Sequence, residues 1–112
     1  MELRVLHYFL TVAREQSITR AAQSLHLSQP TLSRQLMDLE AEIGKPLLIR
    51  GSRQIALTEA GMLLRKRAQE ILDLVAKTEN ELAVEETVAG DIYIGAGETD
   101  GLRILLQTAK SL

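Results

Sequence analysis

The chain has no cysteine among its 112 residues and is poor in aromatic side chains, which make up 3% of the sequence. Without cysteine it has no disulfide bond, no thiolate nucleophile and no cysteine-ligated zinc site. No apolar run approaches the roughly 20 residues that a membrane-spanning helix requires. Charged residues interrupt the N-terminal segment, so we expect no signal peptide. These absences fit a cytoplasmic protein that does not enter a membrane.

The sequence also lacks a set of residues suited to catalysis or to metal binding. Neither His7 nor His26 has an Asp, Glu or Cys partner at the spacing of metal ligands, and a lone histidine on a helix is usually a surface or core residue. No Ser/His/Asp arrangement or carboxylate pair can be assembled. We therefore expect no enzyme activity, no metal and no cofactor.

Charge is distributed unevenly along the chain. The formal net charge is −2, yet residues 1–67 hold ten of the 13 Lys and Arg side chains and six of the 15 Asp and Glu side chains. The first half is therefore basic and the second half acidic. A local basic region favours binding to a polyanion, and a solvated protein surface is the alternative explanation.

Two short helical patterns between Ser17 and Ile43 predict a helix-turn-helix. Ser17 is a good N-cap, and one apolar face follows it, formed by Ile18, Ala21, Ala22 and Leu25. This pattern stops at His26. The second pattern begins with Ser28 or Gln29 as its N-cap and Pro30 in the first turn, where the missing N–H is tolerated. A buried stripe then recurs at Leu32, Leu36, Leu39 and Ile43.

Turning that stripe inward leaves a solvent face suited to DNA bases. Arginine can pair with guanine, hydroxyl and amide groups can donate and accept, and apolar groups can contact thymine methyl groups. The acidic residues of this helix come later, farther from its positively polarised N-terminus. The candidate DNA-binding residues here are Ser28, Gln29, Pro30, Thr31, Ser33 and Arg34. We call this second helix the recognition helix.

A hairpin is predicted after the recognition helix ends at Gly44. Residues 47–50 and 53–57 form strand-like runs around Gly51 and Ser52, a pair that suits a two-residue type II′ turn. Arg50 and Arg53 flank the turn, so we expect this wing to contact the DNA backbone or the minor groove. The alternative is an edge hairpin whose arginines only keep it soluble.

The first segment, residues 1–15, predicts a helix that completes a three-helix core. Its expected buried stripe is Leu3, Leu6, Leu10 and Ala13, with Phe9 at the centre of the core.

A long helix is predicted from Thr58, its N-cap, to about Val88, before Gly90 breaks it. Its apolar seam has heptad spacing at Leu64, Ala68, Ile71, Val75, Thr78 and Leu82. A small winged domain cannot cover so long a stripe, so we expect a homodimer through this helix. An intramolecular linker lying on another domain is the alternative.

Residues 91–112 read as a strand, a glycine-containing turn and a helix. Gly95, Gly97 and Gly101 miss the spacing of the GxGxxG fingerprint, and a single βα unit cannot form a nucleotide site.

Much of this pattern resembles the N-terminal domain of LysR-type bacterial transcriptional regulators. The residues that carry the resemblance in the helix-turn-helix are Ala21, Ala22, Leu25, Ser28, Gln29, Pro30, Leu32, Ser33, Leu36, Leu39, Glu40, Ile43 and Gly44. Outside it they are Phe9, Val12, Ala13, Ser17, Thr19, Leu47, Arg50, Arg53, Leu57, Thr58 and Gly61. Leu48 stands where the family usually has phenylalanine.

The resemblance implies a domain order and a function. A winged helix-turn-helix would occupy residues 1–58, a linker helix that pairs in a dimer residues 59–88, and the start of a small-molecule-sensing domain residues 89–112. We therefore predict a mainly α protein that binds double-stranded DNA as a homodimer. Higher oligomers are left open for a longer protein, whose effector would bind only in the part of the sensing domain missing here. The competing function is a protein-interaction module.

Overall fold

Three helices and a two-stranded sheet precede a long helix. The computed structural model describes the backbone of residues 1–51 and 53–91, and the side chains of these residues up to 84. The elements are α1 (Leu3–Glu15), α2 (Ile18–Leu25), α3 (Gln29–Ile43), β1 (Leu48–Ile49), β2 (Ala56–Leu57) and α4 (Glu59–Asp91). The prediction of a mainly helical winged helix-turn-helix is confirmed. The predicted strand and helix of residues 91–112 lie outside the described residues, apart from Asp91.

Helices α1, α2 and α3 pack around Phe9, which has no exposed surface. The buried face of α1 differs from the predicted stripe, because Leu3 is 46% exposed and Leu10 and Ala13 are half-buried. Its buried residues are Val5, Leu6, Phe9, Thr11 and Val12. Phe9 and Leu6 are buried as predicted, and packing against α2 and α3 adds Val5 and Val12 to the buried face in place of Leu3 and Ala13.

Both turns of the three-helix unit depend on caps. Ser17 Oγ accepts a hydrogen bond from the Arg20 N–H at 3.1 Å, which confirms it as the N-cap of α2. Ser28, not Gln29, caps α3. The preceding helices end at Gln16 and His26, which have φ angles of 56° and 58°, a left-handed conformation that non-glycine residues adopt at some cost.

The wing is a shorter hairpin than the sequence predicts. Leu48 pairs with Leu57 and Ile49 with Ala56, so residues 50–55 connect the strands and the predicted two-residue turn is wrong. The pairing stops there because the Ile55 N–H donates to the Gln16 carbonyl at 3.0 Å instead of to β1. Ser52 lies outside the described residues.

One residue before β1, Leu47, joins the wing to the start of α4. Its carbonyl accepts a hydrogen bond from the Thr58 N–H at 3.1 Å. A Cβ atom added at Gly61 would lie 2.2 Å from the same carbonyl oxygen, so only glycine permits this approach of helix and strand. The Thr58 hydroxyl donates to the Pro46 carbonyl at 2.7 Å and accepts from the Gly61 N–H at 3.0 Å, as a helix N-cap does.

Helix α4 begins as predicted, with Glu59 in its first turn, but it continues through Gly90 to Asp91. The prediction that Gly90 breaks the helix is wrong. A glycine inside a helix lowers helix stability by only about 1 kcal/mol relative to alanine. Better helix formers in the neighbouring turns can offset this cost. The chain divides into two compact units, Met1–Val75 and Ala76–Leu112, and the described residues of the second are helical.

Candidate nucleic-acid interface

The N-terminus of α3 is a compact hydrogen-bonded cap. Ser28 Oγ accepts from the Thr31 N–H at 3.2 Å and donates to Thr31 Oγ1 at 2.8 Å. Because Thr31 Oγ1 accepts this bond, its own hydroxyl proton points elsewhere. Both side chains are exposed, so Thr31 can donate to an external acceptor while Ser28 holds the cap.

The adjacent Gln29 is oriented from α2. Thr19 Oγ1 donates to Gln29 Oε1 at 3.4 Å. This long hydrogen bond uses one lone pair of the amide oxygen, so the NH2 group and the second lone pair of Gln29 can still bind an external partner. The sequence prediction did not include Thr19 in the site, because the contact joins two helices that only the fold brings together.

The solvent face of α3 is as predicted from the buried stripe. Leu32, Leu36 and Leu39 are buried, and Arg34 projects on the other side with 79% of its side chain exposed. Its Nε atom lies 3.9 Å from Asp38 Oδ1, a distance too long to fix the guanidinium. Pro30 is exposed and Ser33 half-buried beside it. The first half of α3 thus presents a forked cation, hydroxyl groups and an apolar ring together.

The two wing arginines lie in different environments. Arg50 Nη1 lies 3.3 Å from Glu40 Oε1, and 39% of the Arg50 side chain is exposed. Arg53 is exposed. Part of the Arg50 charge is therefore offset by a carboxylate of α3.

Glu40 has a structural role that the sequence did not reveal. Its side chain is only 14% exposed, and its Oε2 atom accepts hydrogen bonds from the Leu47 and Leu48 N–H groups at 2.7 and 3.2 Å. The sequence suggested only that this carboxylate stays away from DNA. The sequence held one indication that Glu40 is partly buried, since it directly follows Leu39 at the edge of the buried stripe.

The predicted seam of α4 is covered unevenly within one chain. Leu64 packs against the core and Ala68 has no exposed surface. Ile71 is 38% exposed, Val75 half-buried and Leu82 59% exposed. Farther along α4 the seam therefore offers apolar surface that the described part of the chain does not cover.

Within the described residues, no group of three or more His, Asp or Glu side chains is placed to hold a metal ion. In the same part of the chain, no helix has both the length and the apolar character needed to cross a membrane.

These elements define a winged helix-turn-helix domain with a polar, partly basic recognition face. Residues 3–62 match the family model described as bacterial regulatory helix-turn-helix protein, lysR family. This match covers more than half of the chain, and the chain therefore belongs to the LysR family.

Similar proteins include bacterial transcriptional regulators. The probable cat1 operon transcriptional activator of Acinetobacter lwoffii is 52% identical over 75 residues, which are 67% of this chain and 25% of that protein. The DNA-binding transcriptional dual regulator OxyR of Escherichia coli K12 is 43% identical over 107 residues, 94% of this chain and 35% of that protein. The chain thus spans about a quarter to a third of these relatives.

A solved structure shows the same fold. The DNA-binding domain of CbnR, crystallised as a complex with DNA, superimposes with a TM-score of 0.74 at 40% sequence identity. The superposition covers 77% of this chain and 99% of that one.

Proposed function

We propose that this chain is the DNA-binding and dimerising part of a transcriptional regulator, and that it recognises a specific sequence in double-stranded DNA. The observation that carries the proposal is the exposed Arg34 on the solvent face of α3, beside the capped and positively polarised start of that helix. The similarity to CbnR, whose DNA-binding domain was crystallised with DNA, supports the same ligand.

In this proposal α3 lies in the major groove and the wing contacts the backbone or the minor groove. Arg34 and the NH2 group of Gln29 meet base acceptors, and Pro30 contacts thymine methyl groups. Thr31, Ser28 and Ser33 border the same groove. Arg53 contacts a phosphate, and Arg50 does so only in competition with Glu40.

The proposal includes a homodimer through α4. Ile71, Val75 and Leu82 present apolar surface at heptad spacing, and a second copy of α4 has the matching stripe. Leu64 and Ala68, also predicted for this interface, are already covered in the single chain and would border it. Two recognition helices then contact two half-sites of an inverted repeat.

We assign no catalytic step and no cofactor to this chain, and we place it in the bacterial cytoplasm because its ligand is chromosomal DNA. Residues 1–58 form the DNA-binding domain in this scheme, and α4, which runs to Asp91, is the linker helix. The start of an effector-binding domain follows α4 instead of the predicted boundary at residue 89.

Selection of bound sequences from a random DNA pool tests the proposed function. We expect enrichment of an interrupted inverted repeat, followed by retention in gel shifts against a large excess of random DNA at two salt concentrations. A protein-interaction module would enrich no sequence, and any weak binding would disappear at the higher salt concentration.

Arg34→Ala is expected to lower affinity for the selected sequence by about 1–3 kcal/mol per half-site and to relax preference mainly at one base position. The reason is that an outward arginine in the first half of α3 can pair with a base edge. Repeating the selection with the variant measures both effects.

Arg67→Ala is the matched control, because Arg67 is an exposed arginine on α4 that pairs with Glu70 at 2.9 Å. It removes the same charge and should leave the base preference unchanged. If the Arg34→Ala and parent preferences are superimposable, Arg34 contacts phosphate instead.

Arg53→Ala is expected to weaken binding to selected and scrambled DNA by similar factors. It should reduce the magnitude of the slope of log affinity against log salt by about one unit for each phosphate that the arginine binds. Arg50→Ala should change the slope less, because Glu40 already offsets that guanidinium. Titrations at four salt concentrations measure both slopes, and an unchanged slope for Arg53→Ala would show that this wing residue does not bind the DNA backbone.

A further inference from the structure

We propose that Glu40 is a positioning residue for DNA binding, which fixes the wing against the recognition helix through the backbone of the wing and does not itself touch DNA. We call the contact of the Glu40 carboxylate with the Leu47 and Leu48 N–H groups the clamp. The clamp is a property of the free protein, whereas its effect on DNA affinity rests on the proposed function.

One carboxylate oxygen holds the start of the wing. Glu40 Oε2 accepts from two consecutive backbone N–H groups, those of Leu47 and Leu48, at 2.7 and 3.2 Å. Leu47 and Leu48 are buried as whole residues, with 2% and 5% of their surface exposed, so their N–H groups have little access to water. Hydrogen bonds to an ionised acceptor are stronger than those between neutral groups. Sliding β1 along α3, or lifting it away, would break both bonds.

Leu47, the residue before β1, is also held by Thr58, the residue before α4. The Leu47 carbonyl accepts from the Thr58 N–H at 3.1 Å, close to the glycine at position 61. Leu47 is therefore fixed through its N–H by α3 and through its carbonyl by the residue that caps α4. The hairpin that carries Arg53 is held here from two elements, by the Glu40 carboxylate of α3 and by Thr58, whose hydroxyl also donates to the Pro46 carbonyl at 2.7 Å.

The second carboxylate oxygen of Glu40 contacts Arg50. Glu40 Oε1 lies 3.3 Å from Arg50 Nη1, so a largely buried carboxylate has a cation beside it. The solvent face of α3 and the wing must contact one DNA duplex at the same time. Their relative position therefore decides whether the wing can reach the backbone once α3 is in the groove.

The direction in which Glu40→Gln changes DNA affinity distinguishes a positioning role from a simple effect of charge. Removing a carboxylate near DNA and releasing Arg50 would by charge alone tighten binding. The positioning role predicts weaker binding to the selected sequence, by roughly tenfold, because the Gln oxygen accepts from the two N–H groups only as a neutral acceptor and its NH2 group would face the Arg50 guanidinium. Glu42→Gln is the control, since it removes the same charge from an exposed side chain of the same helix, which pairs with the N-terminal ammonium and not with the wing, and it should not weaken binding. Equal or tighter binding by Glu40→Gln would overturn the proposal.

Amide hydrogen exchange in the absence of DNA tests the clamp directly. In Glu40→Gln the Leu47 and Leu48 amides should exchange faster than in the parent, while the amides of Phe9 and Leu36 in the core keep their protection. Glu42→Gln should match the parent. Unchanged exchange at Leu47 and Leu48 would overturn the clamp. If the parent selects no DNA sequence, the proposed function fails, and exchange alone still decides whether the clamp exists.

A double-mutant cycle shows whether Glu40 acts through the wing. Combined with Arg53→Gln, the Glu40→Gln change should cost less than about twofold, because the arginine that Glu40 positions is then absent. A general loss of stability would instead cost the same in both backgrounds. An equal cost would therefore overturn the assignment of Glu40 as a positioning residue.

Discussion

Replacing both Ile71 and Val75 with glutamate is expected to separate the proposed dimer into monomers and to lower affinity for a full inverted repeat by roughly 10²–10⁴-fold. The two residues lie four apart on α4, where one is 38% exposed and the other half-buried in the single chain. Pairing of two α4 helices would bury both, so each glutamate would place an unpaired charge in the interface. Binding of the second half-site would then no longer be intramolecular.

Light scattering and binding to the full repeat and to a single half-site measure the two effects. The control is Gln69→Glu with Ala76→Glu, which adds the same two charges at exposed positions on the opposite side of the heptad pattern. Glutamate is a good helix former, so circular dichroism should show α4 retained in both variants. A double variant that stays dimeric would place the interface elsewhere. A monomer that binds the full repeat as tightly as the parent would show that DNA recognition does not need pairing.

Phe9→Ala is expected to destabilise the folded chain by about 3–5 kcal/mol, a large share of the roughly 5–15 kcal/mol that stabilises a typical domain. Phe9 is the only phenylalanine, has no exposed surface and lies in the core formed by α1, α2 and α3. Its removal would leave a cavity beneath the recognition helix. Denaturant unfolding at a fixed chain concentration measures the loss, because the stability of a dimer depends on concentration.

Leu3→Ala provides the control on the same helix. Leu3 belongs to the buried stripe predicted from the sequence but is 46% exposed in the structure, so we expect a change within about 0.5 kcal/mol. A large effect at Leu3 would support the predicted stripe, which buries Leu3, and would contradict its observed exposure. A small effect at Phe9 would contradict both the predicted and the observed core.

Local signals in the sequence predicted much of the recognition helix. Serine hydroxyls before helical patterns cap α2 and α3, and Gly44, with a φ angle of 84°, ends α3 as its position after the last stripe residue suggested. The stripe of Leu32, Leu36 and Leu39 is long and regular, so its phase, and with it the outward direction of Arg34, followed from helical periodicity alone. The exposed polar residues at the start of α3 could therefore be chosen as candidate DNA-binding residues.

The environments of the wing residues depended on contacts between distant segments. Arg50 and Arg53 have similar sequence contexts, yet only Arg50 lies beside Glu40, ten residues earlier in the chain. The strands end early because Ile55 donates to Gln16, which lies after the first helix. Glu40 is too far along the chain from Arg50, and Gln16 from Ile55, to be neighbours in one helical turn or one hairpin. No periodicity in the sequence could therefore indicate these two contacts.

The sequence alone determined the elements whose causes are local, which are the caps, the apolar stripe of α3 and the heptad spacing of α4. The tertiary structure decided the buried face of α1, the length of the wing and the division of charge between its two arginines. The physical reason is range. Caps and stripes depend on residues within a few positions of one another, whereas the Glu40 carboxylate finds the Leu47 and Leu48 N–H groups only after α3 and β1 have packed together.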